Sequence, residues 1–361
     1  MSKERKNILL VWDRLSEYHW ARFHATKRLY NLGEVHVAEL GRSDSLYFWE
    51  SVSVKENKHW YLSDDPVESN RAFARLYSFV RIVLDQKIEI VALPGYSHLS
   101  YILFLVACRI LGIQTIIFAE SWYPGHRFLD LAKRWFLTVF TDYIFVSGIR
   151  ARLHFNQRLS QSNKKIICGY SAVDNEHFSR DLIVSTLPMR NTVLCIARYS
   201  PEKDLETLIQ AYIKSNAYQK LELWLVGEGP QRDTLEHAVE GHEEWIKLKG
   251  WVTYSDLPSL YSRANFFVLP SKFEPWGLVV NEAMASGVPV ICSDACGCIP
   301  DLDVNGGLIF ESGSVENLID VLNHSLIISE KEKHSIIARQ RKSVGELNPD
   351  SWAKAICRCA F

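Results

Sequence analysis

Two carboxylates, Glu274 and Glu282, are separated by seven residues in the stretch FEPWGLVVNEAMASGVPVICSD, residues 273–294. Pro275 and Gly277 mark a turn that opens a helix after the apolar run FFVLPS. The first N–H groups of that helix, on Gly277, Leu278 and Val279, lack intrahelical acceptors and sit at its positive end. Such an end is a ready site for a diphosphate. Glu282 falls roughly one to two turns into the helix, where a carboxylate can accept two hydrogen bonds from a ribose diol. Glu274 precedes the helix and is placed to project towards a sugar ring. Gly287 then ends the helix and leads into the next strand.

The rest of the chain supplies the frame for these groups. In the first half NILLVW, EVHVAEL, IEIVALP, QTIIFAE, YIFVSG and KIICGY read as strands. Helical patterns lie between them near 19–31, 68–86, 98–111, 126–140 and 148–159. In the second half TVLCIARY, LELWLVGEG, IKLKGWV, FFVLPS, PVICSDA and GLIFE are strands, and helices are expected at 203–215, 230–240, 255–263, 276–287 and 314–326. Strands alternating with helices define a parallel sheet covered on both faces. The pattern breaks between Tyr170 and Asn191, in a polar, turn-rich stretch. The α/β chain therefore reads as two doubly wound, Rossmann-like domains, 1–175 and 176–348, facing each other across a ligand-binding cleft. The segment SWAKAICRCAF carries Trp352, Ala355, Ile356 and Cys359 at helical spacing and needs a surface to cover, so residues 349–361 are expected to cross back onto the first domain.

Bulk properties narrow the class. A chain of 361 residues exceeds what one core serves, and its composition, 47% hydrophobic and 23% charged, is ordinary for globular proteins. A net charge of −1 argues against a dedicated nucleic-acid binder. Residues 1–180 hold 24 Lys and Arg against 18 Asp and Glu, net +6, whereas 181–361 hold 17 against 24, net −7. A basic first half suits an anionic lipid surface or an acidic acceptor, the alternative being ordinary surface variation. The eight cysteines form no CxxC pair, and the apolar run Ile8 to Trp12 is too short for a secretory leader. Free thiols and a cytoplasmic setting are expected. The apolar stretch from Leu99 to Ala119 is broken by Arg109 and Gly112, so a buried helix followed by a strand is expected, rather than a membrane span.

The segment 273–294 resembles the glutamate–seven-residue–glutamate motif of family 4 retaining glycosyltransferases of the GT-B fold. IARYSPEKDLETLIQA, residues 196–211, is similar to the family's segment that grips the donor diphosphate, which would make Arg198 and Lys203 the gripping residues. LWLVGEGP and LKGWVTYSDLPSLYSRANFFVLPS resemble the next blocks, and GYSAVDNEHF the segment closing the first domain. The resemblance covers the second half and, more weakly, the first. It implies transfer of a sugar, with retention, from a nucleotide-diphosphate sugar such as a UDP- or GDP-sugar to a glycan or lipid-linked acceptor. Front-side attack by the acceptor is the usual proposal for such enzymes, with Glu274 positioning the sugar. Arg198 would supply a bidentate fork and Lys203 a point charge to the leaving diphosphate.

The first half departs from that pattern. WDRLSEYHWARF has no glycine after the first strand, where many relatives carry a Gly-rich turn. His19 and Arg22 open the following helix as acceptor-binding candidates, the alternative being a capping role. Where some relatives place a histidine near the sugar, this chain has Glu120, a candidate base or hydroxyl anchor. Asp301–Leu302–Asp303 spells a DxD, but beside an Asn–Gly turn it reads as a solvated loop, and no metal or other cofactor is expected. Cys292, Cys296 and Cys298 are expected to pack near the site within reach of thiol reagents. The amphipathic segment 127–140, with Phe128, Leu131, Trp135, Phe136 and Val139 on one side, reads as a core helix, with peripheral contact to the inner membrane face as the second option. A non-catalytic nucleotide or glycan binder of the same fold ranks next as a function, and a sugar-nucleotide epimerase below it.

Overall fold

The structure, a computed structural model, describes residues 6–44, 56–96, 98–123, 127–159, 165–180, 191–304 and 308–360. The chain forms two compact units, Met1–Ala172 with Pro349–Phe361, and Val173–Asn348. The first unit contains β1 (Asn7–Trp12), α1 (Glu17–Leu29), β2 (Val35–Glu39), β3 (His59–Tyr61), α2 (Ala72–Asp85), β4 (Ile88–Pro94), α3 (Leu99–Leu111), β5 (Gln114–Ala119), α4 (Arg127–Phe140), β6 (Tyr143–Val146), α5 (Ile149–Arg158) and β7 (Lys165–Cys168). The second contains α6 (Asn175–Ser179), β8 (Thr192–Ile196), α7 (Leu205–Lys214), β9 (Glu222–Val226), α8 (Arg232–Ala238), β10 (Ile246–Lys249), α9 (Leu257–Arg263), β11 (Ala264–Leu269), α10 (Leu278–Ala285), β12 (Val290–Ser293), β13 (Ile309–Phe310), α11 (Val315–Ile327) and α12 (Glu330–Gly345). A last helix, α13 (Pro349–Cys359), belongs to the first unit.

The first sheet has the order β3-β2-β1-β4-β5-β6-β7, all parallel. Its strands are apolar on both faces because helices cover both. Along β1, Leu9 and Val11 join one core with α2, α3, α4 and α5, while Ile8, Leu10 and Trp12 join the other. That second face is closed by Trp20 and Phe23 of α1 and by Trp352 and Ile356 of α13. Trp352 is fully buried, its ring 5.8 Å from Phe118, 5.6 Å from Phe145 and 6.1 Å from Trp12. Lys6 Nζ donates to the Ala360 carbonyl at 2.8 Å and ties the end of this helix down.

The second sheet runs β10-β9-β8-β11-β12-β13, again all parallel. Val193, Leu223, Leu225, Phe266, Val268 and Ile291 form one face, packed with α7, α8, α11 and Ile336 of α12. The other face meets α9 and α10.

Several elements differ from the sequence expectation. The helix expected over 68–86 starts at Ala72, because Arg75 donates to the carbonyls of Pro66, Val67 and Ser69 and fixes that stretch as a turn. β3, α6 and α12 were not anticipated. The apolar stretch from Leu99 divides at Gly112, in the left-handed region at φ 69°, into α3 and β5. Among the described residues no helix is long and apolar enough to cross a membrane. Residue 126, the Asn305–Gly306 turn, residues 181–190 of the expected break and the side chains of Arg127 and Phe128 lie outside the described residues.

Replacing Trp352 with Ala removes the largest side chain that α13 buries, at an expected cost of about 3–5 kcal/mol. Urea unfolding of Trp352→Ala should show this as an earlier midpoint. An unchanged midpoint would mean that α13 contributes nothing to the first core.

Candidate donor site

In the second sheet β8 lies between β9 and β11, so the strand order reverses there and the loops leaving β8 and β11 part at their carboxyl ends. The donor-site residues expected from the sequence fall on these two loops and on α10. Ile196 ends β8; Arg198 follows, and Lys203 closes the short 3-10 turn Pro201–Lys203. Leu269 ends β11; Glu274 and Gly277 follow, and Leu278 begins α10.

Each loop is pinned from below. Ala197 N–H donates to the Val226 carbonyl at 3.0 Å and Tyr199 N–H to that of Glu228 at 2.9 Å. Tyr199 is fully buried, and its hydroxyl donates to the Leu225 carbonyl at 2.8 Å. Between these fixed neighbours Arg198 is exposed, and its guanidinium makes no hydrogen bond or ion pair among the described residues. The clamp requires two glycines that sequence reasoning passed over. A Cβ on Gly227 would lie 2.0 Å from the Ala197 carbonyl oxygen, and one on Gly229 would lie 2.4 Å from that of Tyr199. The run Gly227–Glu228–Gly229 was their signal in the sequence, as a place where two backbones meet.

The two loops are also joined to each other. The Lys203 ammonium pairs with the Glu274 carboxylate. Lys272 N–H donates to the Glu202 carbonyl at 2.8 Å, and Lys272 Nζ pairs with Asp204 at 2.7 Å. Glu274 is 7% exposed and its backbone is strapped to the cysteine segment. Gly297 N–H donates to the Glu274 carbonyl at 3.0 Å and Cys298 N–H to that of Trp276 at 3.2 Å. The thiols of Cys292, Cys296 and Cys298 are fully buried, so the expected access for thiol reagents is not met. Burial, then Cys296 and Glu274 nearby, push the Cys298 thiol well above its usual range. Among the described residues no group of three or more His, Cys, Asp or Glu is arranged to hold a metal ion. Asp303 of the DxD sequence pairs with Arg339 at 3.4 Å.

Gly277 has φ 97°, a left-handed conformation that orients the first turn of α10. The N–H groups of Gly277, Leu278 and Val279 find no acceptor among the described residues. Glu282 is 1% exposed, and one of its oxygens accepts the Tyr261 hydroxyl at 2.8 Å. The sequence placed this carboxylate one to two turns into the helix; the fold buries it there, on a tyrosine from α9.

The remaining candidates belong to the first unit. Glu120 follows β5, half-buried, and accepts the Ser171 hydroxyl at 3.2 Å. His19 has the capping role: as the third residue of α1 its Nδ1 reaches back to accept the N–H of the cap residue, Ser16, at 3.1 Å. Burial, then the Arg22 charge, hold its pKa well below the usual value. The neutral ring therefore carries its proton on Nε2. Arg22 is 2% exposed, donates to the Ala172 carbonyl at 2.8 Å and lies 4.9 Å over the Tyr170 ring. Its guanidinium anchors the end of the first unit from within.

Two doubly wound parallel sheets of this order make the fold that of the GT-B glycosyltransferases. Anabaena HepE, solved in complex with UDP, superposes with a TM-score of 0.75 at 15% identity, over 98% of this chain and 99% of that one. Sucrose-phosphate synthase from Thermosynechococcus elongatus gives 0.74 at 17% identity, over 99% and 98%. Residues 183–343 match the family Glycosyl transferases group 1, so the second unit carries a group 1 domain. Among curated proteins, O-antigen chain mannosyltransferase B of Escherichia coli is 36% identical over 135 residues, 36% of this chain and 35% of that protein. Sulfoquinovosyl transferase of Arabidopsis thaliana is 31% identical over 164 residues, 44% of this chain and 31% of that protein. The chain thus matches about a third of the length of these relatives.

Gly229→Ala forces a Cβ into the Tyr199 backbone, whereas at Gly241, also at positive φ, a Cβ meets nothing within 4 Å. The first change should lower stability by about 1–3 kcal/mol beyond the second. Equal denaturation midpoints for the two variants would refute the clamp.

Proposed function

We propose that the protein is a retaining, family 4 glycosyltransferase that moves a sugar from a nucleotide-diphosphate sugar to a glycan or lipid-linked acceptor. The observation that carries this reading is the Lys203–Glu274 ion pair beside the first turn of α10, with Arg198 exposed on the neighbouring loop. Cations and unbonded N–H groups collect where a diphosphate would develop charge as it leaves. Glu274, fixed by its backbone strap, positions the sugar ring. Glu282 with Tyr261 takes the ribose diol through the carboxylate oxygens. Arg198, Lys203 and the α10 terminus hold the diphosphate without a metal ion. Glu120 is the candidate acceptor-side base or hydroxyl anchor, and His19 can offer Nε2–H to an acceptor.

The group 1 domain match and the names of the curated relatives support sugar transfer in glycan or glycolipid synthesis. A cytoplasmic protein in peripheral contact with a membrane fits exposed apolar side chains on the first unit, Phe73 and Tyr77 of α2 and Leu131 and Trp135 of α4. The competing reading, a nucleotide or glycan binder without turnover, keeps the donor site and predicts no product.

Thermal shifts with a panel of UDP-, GDP- and ADP-sugars test the donor site. One base should be selected, and Arg198→Ala should weaken its binding about 10- to 100-fold, the effect of losing charge-assisted hydrogen bonds. No shift with any donor would overturn the reading. In turnover assays Glu282→Ala should chiefly raise the donor KM and Glu274→Ala chiefly lower kcat; wild-type kinetics in both would remove these residues from the site. Activity should survive EDTA, and loss of activity restored by magnesium would contradict the metal-free grip.

A further inference from the structure

The first sheet has its own reversal of strand order. β1 lies between β2 and β4, so the loops leaving β1 and β4 part at their carboxyl ends. Asp13 follows β1 directly, and His98 caps α3 after β4. His98 Nε2 lies 4.0 Å from Asp13 Oδ1, with the two side chains 37% and 47% exposed. Tyr101, fully buried in the first turn of α3, donates its hydroxyl to the same carboxylate oxygen. Burial, then Asp13 itself, keep this phenol well above its usual pKa, so it stays a donor. Asp13 Oδ2 accepts no hydrogen bond among the described residues. A carboxylate fixed by a buried phenol and open on its other side, next to an imidazole, matches two adjacent hydroxyls.

Two N–H groups of the same turn are already taken. A helix following the first strand of such a sheet ordinarily offers N–H groups to a phosphate. Here Leu15 N–H donates to Glu39 Oε2 at 2.9 Å, and Ser16 N–H to His19 Nδ1 at 3.1 Å. Glu39 is 5% exposed, and its other oxygen lies 2.7 Å from His59 Nε2. The protein's own carboxylate thus occupies the place where a ligand phosphate would seek those donors. Glu17 opens α1 with a further negative charge, and Arg14 of this turn is paired with Asp44 at 3.3 Å.

We propose that the carboxyl ends of β1 and β4 form a site for the neutral vicinal diol of a sugar, held by Asp13 and His98 and closed to phosphate by Glu39. Naming that sugar the acceptor rests on the glycosyl transfer proposed above; the binding itself does not. The His98 ring signals, assigned by comparison with His98→Gln, can be followed by NMR during titration with methyl α-D-mannopyranoside, methyl α-D-glucopyranoside and inorganic pyrophosphate. At least one glycoside should move them saturably and pyrophosphate should leave them in place. Asp13→Asn, which preserves the shape and an acceptor for Tyr101, should weaken that glycoside about tenfold. The glycoside response should persist in Arg198→Ala, which separates this site from the donor site. Saturable movement with pyrophosphate, no movement with either glycoside, or an unchanged titration in Asp13→Asn would each overturn the proposal.

Discussion

The arrangement of this protein depends on one constraint of parallel sheets. Crossovers between parallel strands are right-handed, so a sheet that grows first one way and then the other must separate two loops where its order reverses. In the second sheet that place is the junction of β8 and β11. No side chain is needed to open it. Side chains are needed to keep the parted loops in register, and the residues there do this with charge: Lys203 with Glu274, and Lys272 with Asp204. The pairs that set the loops' spacing are thus made of the same chemical groups that could meet a phosphate and a sugar.

Support for these groups comes from backbone more than from side chains. Gly227 and Gly229 let the end of β9 lie against the Ala197–Tyr199 backbone, and the segment Cys296–Cys298 is hydrogen-bonded along Glu274–Trp276. Backbone contacts of this kind hold position without long, flexible side chains, so Arg198 and Glu274 sit on rigid stems, Arg198 with its charged end exposed and Glu274 with its carboxylate on Lys203. The small cysteine side chains fill the space beneath this strap at no cost in bulk. Their burial removes them from solution chemistry.

Much of the architecture was legible in the sequence because parallel strands covered on both faces are mostly continuous apolar runs, and twelve of the thirteen strands among the described residues stood out as short apolar-rich segments. The exception, β3, is three half-buried residues at an edge. α12 escaped because only Ile336, Gln340 and Val344 are buried along its charged length, too thin a stripe to read as periodicity. In the site, the position of Glu274 at a helix entrance was legible from turn chemistry, and its partner Lys203 only through resemblance. The direction of a side chain was not. An arginine or glutamate on a helix is exposed by default, yet Arg22 and Glu282 are both buried, because the Ala172 carbonyl and the Tyr261 hydroxyl, distant in sequence, offer them partners. Asp13 and His98 were equally hidden, since only the pairing of β1 with β4 brings them together.

The return of α13 to the first unit has a consequence for synthesis. On the ribosome, residues up to Ala172 emerge first, but the helix that closes one face of their sheet follows the whole of Val173–Asn348. Until then Trp12, Phe118, Phe145 and Tyr170 have only α1 over them. The nascent first unit must wait with an apolar face open, a condition that favours aggregation or chaperone capture. The second unit, continuous in sequence, meets no such delay, so the later-made half is the first that can finish folding.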